Sequence, residues 1–335
     1  MRVPYSEMKA EIKRVFIKYG MSDAKADICA EVHTQSSCDG IYSHGTNRVA
    51  QFIGYVNKGY IDVNADPSLT RSLGAIEVYN GNLGPGVLNA MFSMDRAIEL
   101  AGEHGIGLVG LGNTNHWMRG GTYGLRAAKA GYIAVSWTNT ESCMPPWGGA
   151  EGRVGNNPFV MAAPGPGGEP VMMDMAMSLY AYGKLQVTRL ADKKLPYPGG
   201  YDKNGNLTDD PGAIEQSRRI LPMGYWKGST FAFMLDILGA ILSDGRSASE
   251  IDKLYEGKGG VGCSQIFMAI DPKTTDSDRM LQIIEQEMAH IKSAPPSEDG
   301  AKIMYPGEDY VIARKENLEK GVFVDDTVWA EIKGL

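Results

Sequence analysis

Ser43-His44-Gly45, followed by Arg48, is the stretch of this chain best equipped for chemistry. The 335 residues contain five histidines, His33, His44, His104, His116 and His290. His44 and His116 lie in polar, glycine-containing stretches rather than in apolar periodic runs. An imidazole, with an unperturbed pKa of about 6.5, can give or take a proton near neutrality. Residues four apart on a helix share a face, so the spacing sets Arg48 one turn from His44. A proton donor beside a guanidinium fork suits a substrate whose carboxylate adjoins a reactive carbonyl. A capping serine, a surface histidine and a solvated arginine would give the same pattern.

Residues 112–124, GNTNHWMRGGTYG, form a second polar cluster directly after a strand-like run. Asn113, Asn115, His116, Trp117 and Arg119 crowd donors and an aromatic face into seven positions. An asparagine-rich turn satisfying its own backbone is the alternative, but Trp117 and Arg119 add nothing to a turn. In LPMGYWKGS (221–229), Lys227 precedes Gly and Ser at the start of an apolar helix. Such a start can hold a phosphate through charge and free amides, or can simply be capped. Asp174 stands alone at a strand end, where a carboxylate commonly pairs with a backbone amide. The loops around Trp117 and residues 145–147 (PPW) could wall a pocket, though core packing is the default for tryptophan. A dinucleotide fingerprint fails. Gly110 and Gly112 follow a strand, but Asn115 replaces the third glycine, and Tyr132 and Ile133 stand where an acidic residue is needed.

The elements that must position these groups are visible as periodicities. Met8, Ile12, Val15, Phe16 and Tyr19 predict a first helix ending at Gly20. Ser22 predicts the cap of a second, with Ala24, Ile28 and Val32 on its apolar stripe. A third helix is expected to start at Ser43 and to bury Val49, Phe52, Ile53 and Val56. His44 would then lie at the positive end of that helix, which lowers an imidazole's pKa and favours an anion. From residue 75 strands and helices alternate: a helix with Val87, Leu88, Met91, Met94 and Ile98 running to Gly105, strands at 106–111, 132–137 and 264–270, and a hairpin joining 159–163 to 171–175. Residues 195–212 read as a polar loop, 231–242 as an apolar helix, and Val328–Ile332 as the start of the last helix. This order predicts an α/β fold with a mixed sheet.

A net charge of −7 without a basic cluster argues against a nucleic-acid surface. Four scattered cysteines, with no C-x-x-C pair, give neither zinc spacing nor a disulfide framework. No apolar run approaches a membrane span, and the first residues lack a signal-peptide core, so a cytoplasmic protein is expected.

The blocks YSHGTNR (42–48), AIELAGEHGIGLVGL (97–111), NHWMRGGTYG (115–124), MPPWG (144–148), RRILPMGYWKGS (218–229), YPGED (305–309) and VDDTVWAEI (324–332), taken together, resemble the malate/L-lactate dehydrogenase type-2 family of NAD(P)-dependent oxidoreductases. The resemblance spans essentially the whole chain. It implies a non-Rossmann α/β fold of the L-sulfolactate dehydrogenase type. The implied division is an N-terminal helical part (1–75) carrying the catalytic histidine, a mixed-sheet cofactor domain (76–290), and C-terminal helices (291–335) packing back on the first part. It also implies a homodimer. His44 matches the family's catalytic histidine and proton donor, Ser43 and Arg48 its neighbours, and His116 with Trp117 a second part of the substrate pocket. The cofactor segments fall on Pro170, Val171, Met172, Met173, Asp174, Met175 and Ala176, on Trp226 and Lys227, and on Gly307, Glu308 and Asp309. The activity implied is reduction of a small sugar-derived 2-oxo acid with NAD(H), or alternatively NADP(H), and with no metal. Arg48 would hold the carboxylate. Malate, L-lactate or ureidoglycolate oxidation is the alternative within the family. Outside it stand a metal-dependent hydrolase or aldolase using His44, His116 and Asp174, and a non-catalytic sugar-acid binder.

Overall fold

The computed structural model describes residues 1–254 and 260–335. A two-residue strand, β1 (Arg2–Val3), leads into α1 (Tyr5–Lys18), α2 (Asp23–Cys38) and α3 (Val49–Asn57). Next come β2 (Ser68–Leu73), β3 (Ile76–Asn80), α4 (Gly86–His104), β4 (Ile106–Asn115), α5 (Gly121–Lys129), β5 (Ile133–Thr138), β6 (Phe159–Ala163) and β7 (Val171–Met175). An excursion carries α6 (Tyr182–Leu190), β8 (Gly200–Tyr201), β9 (Leu207–Thr208) and α7 (Pro211–Ser217). The chain re-enters through α8 (Trp226–Ser243), α9 (Ala248–Ile251) and β10 (Val261–Ile270). It closes with α10 (Ser277–Lys292), α11 (Glu308–Lys320), β11 (Val322–Phe323) and α12 (Asp326–Gly334).

One seven-stranded sheet, ordered β2-β3-β4-β10-β5-β6-β7, is the frame. Only the β3–β4 pair is parallel, and α4 supplies the crossover that a parallel pair requires. β10 inserts between β4 and β5, so eight of its ten residues are buried and its sequence is apolar on both faces. Ala90, Met94 and Leu100 of α4 and Tyr123 and Ala127 of α5 pack on one face against Val109, Leu111, Phe267 and Val160. Leu235 and Ala232 of α8 cover the other face with Trp137, Ile266 and Leu185. A third core joins α1, α2 and α3 to α12 and β11, which pairs with β1. The two chain ends therefore share one core.

Gly110 and Gly112, the glycines of the failed fingerprint, serve packing. A Cβ on Gly110 would lie 2.1 Å from the Leu242 carbonyl oxygen, so glycine lets the end of α8 touch the sheet.

Several expectations are corrected. The regular third helix starts at Val49, not Ser43; two 3-10 turns, Tyr42–His44 and Thr46–Arg48, precede it. Gly45 separates them with φ −116° and ψ −120°, outside helical space. Ser22 caps α2 through the Lys25 N–H, but Ala24 and Ile28 are exposed. Ala26, Cys29, Ala30, Val32 and His33 are buried instead, because α2 is covered on several sides and small residues pack there as core. The boundary placed at residue 75 falls inside the β2–β3 hairpin; the first core ends near Val63 and the sheet begins at Ser68. The 195–212 loop holds the β8–β9 pair.

Trp329 is 3% exposed and packs with Ile332 in the core shared by both chain ends. Trp329→Ala should lower the unfolding free energy by about 3–5 kcal/mol, read from the urea midpoint.

Candidate active site

Ser37 of α2 and Gly45 set the position of His44. A Cβ on residue 45 would lie 2.2 Å from Ser37 Oγ and 2.7 Å from the His33 carbonyl oxygen, so only glycine passes so close to α2. Ser37 Oγ accepts the Thr46 N–H at 2.9 Å and fastens the second turn. Ser43 Oγ lies 3.0 Å from His44 Nδ1. Arg48 Nε donates to the Ser43 carbonyl at 3.0 Å and Nη1 to Gln51 Oε1 at 2.6 Å. These bonds, rather than a helical face, hold His44 and Arg48 together. The end of the Arg48 fork, Nη2 with the second N–H of Nη1, has no partner among the described residues. That edge matches a carboxylate bidentately.

His116 comes from the opposite direction, just beyond the end of β4. Its ring stacks on His44 with centroids 5.6 Å apart and planes 18° apart. The Met118 N–H donates to His116 Nδ1 at 3.0 Å, which leaves any proton of a neutral ring on Nε2. Burial lowers the His44 pKa to about 3, and the charges of Arg48 and Arg119 add to the effect. Burial also pushes His116 well below the usual imidazole range, with Arg48 and His44 adding. Both rings are neutral at pH 7. The expected depression of His44 is present, but burial and two arginines cause it, not a helix terminus.

The cavity they share holds about 550 Å³ and is lined by Ser43, His44, Arg48, His116, Thr140, Glu141, Asn156, Asp174, Met175, Ala176, Tyr182 and Arg119, among others. This volume lies in the range usual for small-molecule sites. Asp174 Oδ2 accepts the Gly121 N–H at 2.8 Å, at the first turn of α5. Burial raises the Asp174 pKa, against the opposing charge of Arg119.

The remaining expected residues are placed differently. Trp117 borders the cavity, but its indole is 1% exposed and packs against Tyr123 and Phe267, each 5.8 Å away between ring centroids. It therefore presents no aromatic face to a substrate. Met172 is buried under the sheet with Val160, while Val171 and Met173 lie further back along β7 than Asp174. Pro170 is buried ahead of them. Gly307 packs on the Met172 backbone, Glu308 pairs with Lys292, and Asp309 is exposed. Trp226 and Lys227 occupy the first turn of α8, exposed and outside the cavity lining. His44 and His116 face each other as stacked rings, and no group of three His, Cys, Asp or Glu side chains among the described residues could share a metal ion.

Glu141, Thr140, Asn156 and Tyr182 were not singled out in the sequence. Thr140, Glu141 and Asn156 lie between elements and Tyr182 opens α6, and no spacing connects them to His44. Arg119 was visible in the polar cluster, but its partner was not. Asp39 at the end of α2 is 1% exposed and is gripped by Arg119 and by Arg314 of α11. Arg314 bonds both carboxylate oxygens, at 2.7 and 3.1 Å. Tyr310 lies under the Arg119 guanidinium, 4.5 Å from ring centroid to carbon. Burial alone would push the Asp39 carboxyl up; Arg314 and Arg119 together outweigh it and hold it below the usual carboxylate range.

Asp39→Asn would leave two arginines with no counter-charge. A loss of about 3–5 kcal/mol is expected at pH 7 in urea unfolding. Because the folded pKa is depressed, this stabilisation is full above the unfolded value of about 3.9 and lost as pH falls through the folded one. The gap between wild type and variant should therefore close on acidification below about pH 4.

With this geometry in view, comparison with known proteins is direct. Residues 3–333 match the family model for malate/L-lactate dehydrogenase. The chain is 45% identical over 337 aligned residues to a 2,3-diketo-L-gulonate reductase of Escherichia coli, covering 100% of both chains. A sulfolactate dehydrogenase from Methanocaldococcus jannaschii superposes with TM-score 0.90 at 28% identity, covering 100% of this chain and 96% of the other. A malate dehydrogenase from Entamoeba histolytica shares the fold, with TM-score 0.95 at 23% identity over 100% of this chain and 96% of its own. The chain belongs to the malate/L-lactate dehydrogenase family.

Proposed function

We propose that this oxidoreductase reduces a small sugar-derived 2-oxo acid, 2,3-diketo-L-gulonate being the first candidate, with NADH preferred over NADPH. The carrying observation is the open end of the Arg48 fork beside His44, inside the cavity that His116 closes. The full-length likeness to a 2,3-diketo-L-gulonate reductase supports this substrate, with malate, L-lactate or ureidoglycolate oxidation as the alternative within the family. A hydrolase or aldolase finds no support in the comparisons or in the placement of the two stacked histidines.

The nicotinamide cofactor implied by the family fits the cavity on two observations. Among the described residues, Arg119 Nε and Nη2 are buried without a hydrogen-bond partner, and Asp174 has only Oδ2 engaged. Asp174, Met175 and Ala176 would hold it, and when bound it supplies a hydride to the keto carbon. The rest is the work of side chains. Arg48 takes the carboxylate end-on and fixes the carbonyl near the rings. Neutral His116 donates its Nε2–H to the substrate oxygen. Ser43 orients His44 through Nδ1 and leaves Nε2 free to move the proton. Burial is the main cause of the low His44 pKa; an anion on Arg48 cancels one of the two charges that add to it, so binding eases protonation of His44.

We also propose a cytoplasmic homodimer. Phe233, Met234, Leu238 and Ile241 on α8 are 39–70% exposed, an apolar surface suited to a second subunit. No described helix is long and apolar enough to cross a membrane. Pro170 to Met173, Trp226, Lys227 and Gly307 to Asp309 remain proposed cofactor segments through the family likeness alone.

His44→Ala should cost about 10²–10⁴-fold in kcat for reduction, followed at 340 nm with a panel of 2-oxo acids and both cofactors. With the free-enzyme pKa near 3, protonated His44 becomes rarer at each step up in pH. Reductive kcat/KM should therefore fall about tenfold per unit from pH 5 to 8, while oxidation, which uses the neutral base, stays flat. A reductive profile level across that range would remove His44 as the acid. Arg48→Lys should lose most of kcat/KM on the acid and little on the substrate amide, because the planar fork is gone.

A further inference from the structure

The functional reading above leaves Glu141 without a task. It follows β5 through Thr138–Thr140, is half-buried, and lines the same cavity as Arg48, His44 and His116. Its carboxylate accepts its own backbone N–H and that of Gly260. No described Lys, Arg or His lies within ion-pair distance of it. Glu141 and Arg48 line the same cavity of about 550 Å³, so a molecule anchored on Arg48 shares that enclosure with the Glu141 carboxylate. Asn156, on the same wall, accepts the Thr140 hydroxyl at 3.2 Å. Glu141 and Asn156 thus add oxygen acceptors to the lining of the cavity that holds Arg48 and His44.

An ionised carboxylate only accepts hydrogen bonds. Half-buried in a cavity wall, it favours hydroxyl donors and opposes a second anionic group, since like charges at a partly buried site are less screened than in free solution. Burial pushes the Glu141 carboxyl up, with the charge of Asp252 adding to that and Arg48 opposing it. A bound hydroxyl would replace some of the water that burial removes.

We propose that Glu141 is a specificity-determining residue that selects 2-oxo acids with a hydroxyl beyond the keto carbon and rejects those with a second carboxylate. This rests on the 2-oxo acid reading of the site, and names the substrate class within it. Glu141 touches substrate but moves no proton; it chooses among acids that Arg48 and His44 treat alike.

Three 2-oxo acids with a common head test it: pyruvate, hydroxypyruvate and oxaloacetate, each reduced with NADH by the full-length chain. Wild type should show hydroxypyruvate above pyruvate and oxaloacetate at least about tenfold below it in kcat/KM. Glu141→Gln keeps the shape and removes the charge, so the oxaloacetate-to-pyruvate ratio should rise at least about tenfold. Glu141→Leu should bring the hydroxypyruvate-to-pyruvate ratio towards one. A purely structural glutamate would lower all three rates together and leave both ratios unmoved. Unmoved ratios in variants that still reduce pyruvate overturn the proposal and spare the 2-oxo acid reading. Wild type reducing oxaloacetate as well as pyruvate overturns it without any variant. No reduction of any 2-oxo acid by wild type would overturn the underlying reading, and this proposal with it.

Discussion

The structure depends on one buried carboxylate. Asp39 ends α2, Arg119 leaves the sheet just after β4, and Arg314 lies on α11, so a single ionic contact ties the N-terminal helices, the central sheet and the C-terminal return. Taking these charges out of water is costly, and only a satisfied geometry offsets it. Here Gln35 also donates to Asp39 at 2.6 Å, and Tyr310 lies beneath the Arg119 guanidinium. Each group borders or supports the cavity wall. The clamp holds Arg119 beside the cavity with part of its hydrogen-bonding capacity unused.

That arrangement also sets the electrostatics of the histidines. Both rings are buried, with Arg48 and Arg119 acting on His44 and Arg48 on His116, so both are neutral without ligand. Burial and fixed charge, not the histidine's intrinsic pKa, set the protonation of both rings.

Much of this was legible beforehand. The helical periodicity of residues 8–19, the cap at Ser22, the hairpin of 159–163 with 171–175, and the mixed sheet all appear where the residue pattern puts them. The failed glycine fingerprint correctly excluded a Rossmann turn, and the packing of Gly110 and Gly112 on α8 shows what those glycines do instead. His44, Arg48 and His116 were visible because imidazole and guanidinium are uncommon in polar glycine-containing stretches. The start of the third helix was misplaced because periodicity cannot register a break that depends on contact: Gly45 is required by Ser37, eight residues earlier on another helix.

Most elements, the family, and the residue types able to bind an acid and move a proton could be read from the chain, because these follow from local spacing and side-chain chemistry. The tertiary structure alone decided which of them meet. It stacked His116 on His44 across 72 positions, turned Trp117 into the core, left Lys227 on the surface, and brought Glu141 into the wall beside Arg48. It also gave Asp39 two arginines, one 80 and one 275 residues away. Such long-range neighbours leave no periodic trace, since each depends on how sheet and helices close around a shared cavity. The shifts in His44, His116 and Asp39 follow from that closure, because burial and nearby charge exist only in the folded chain.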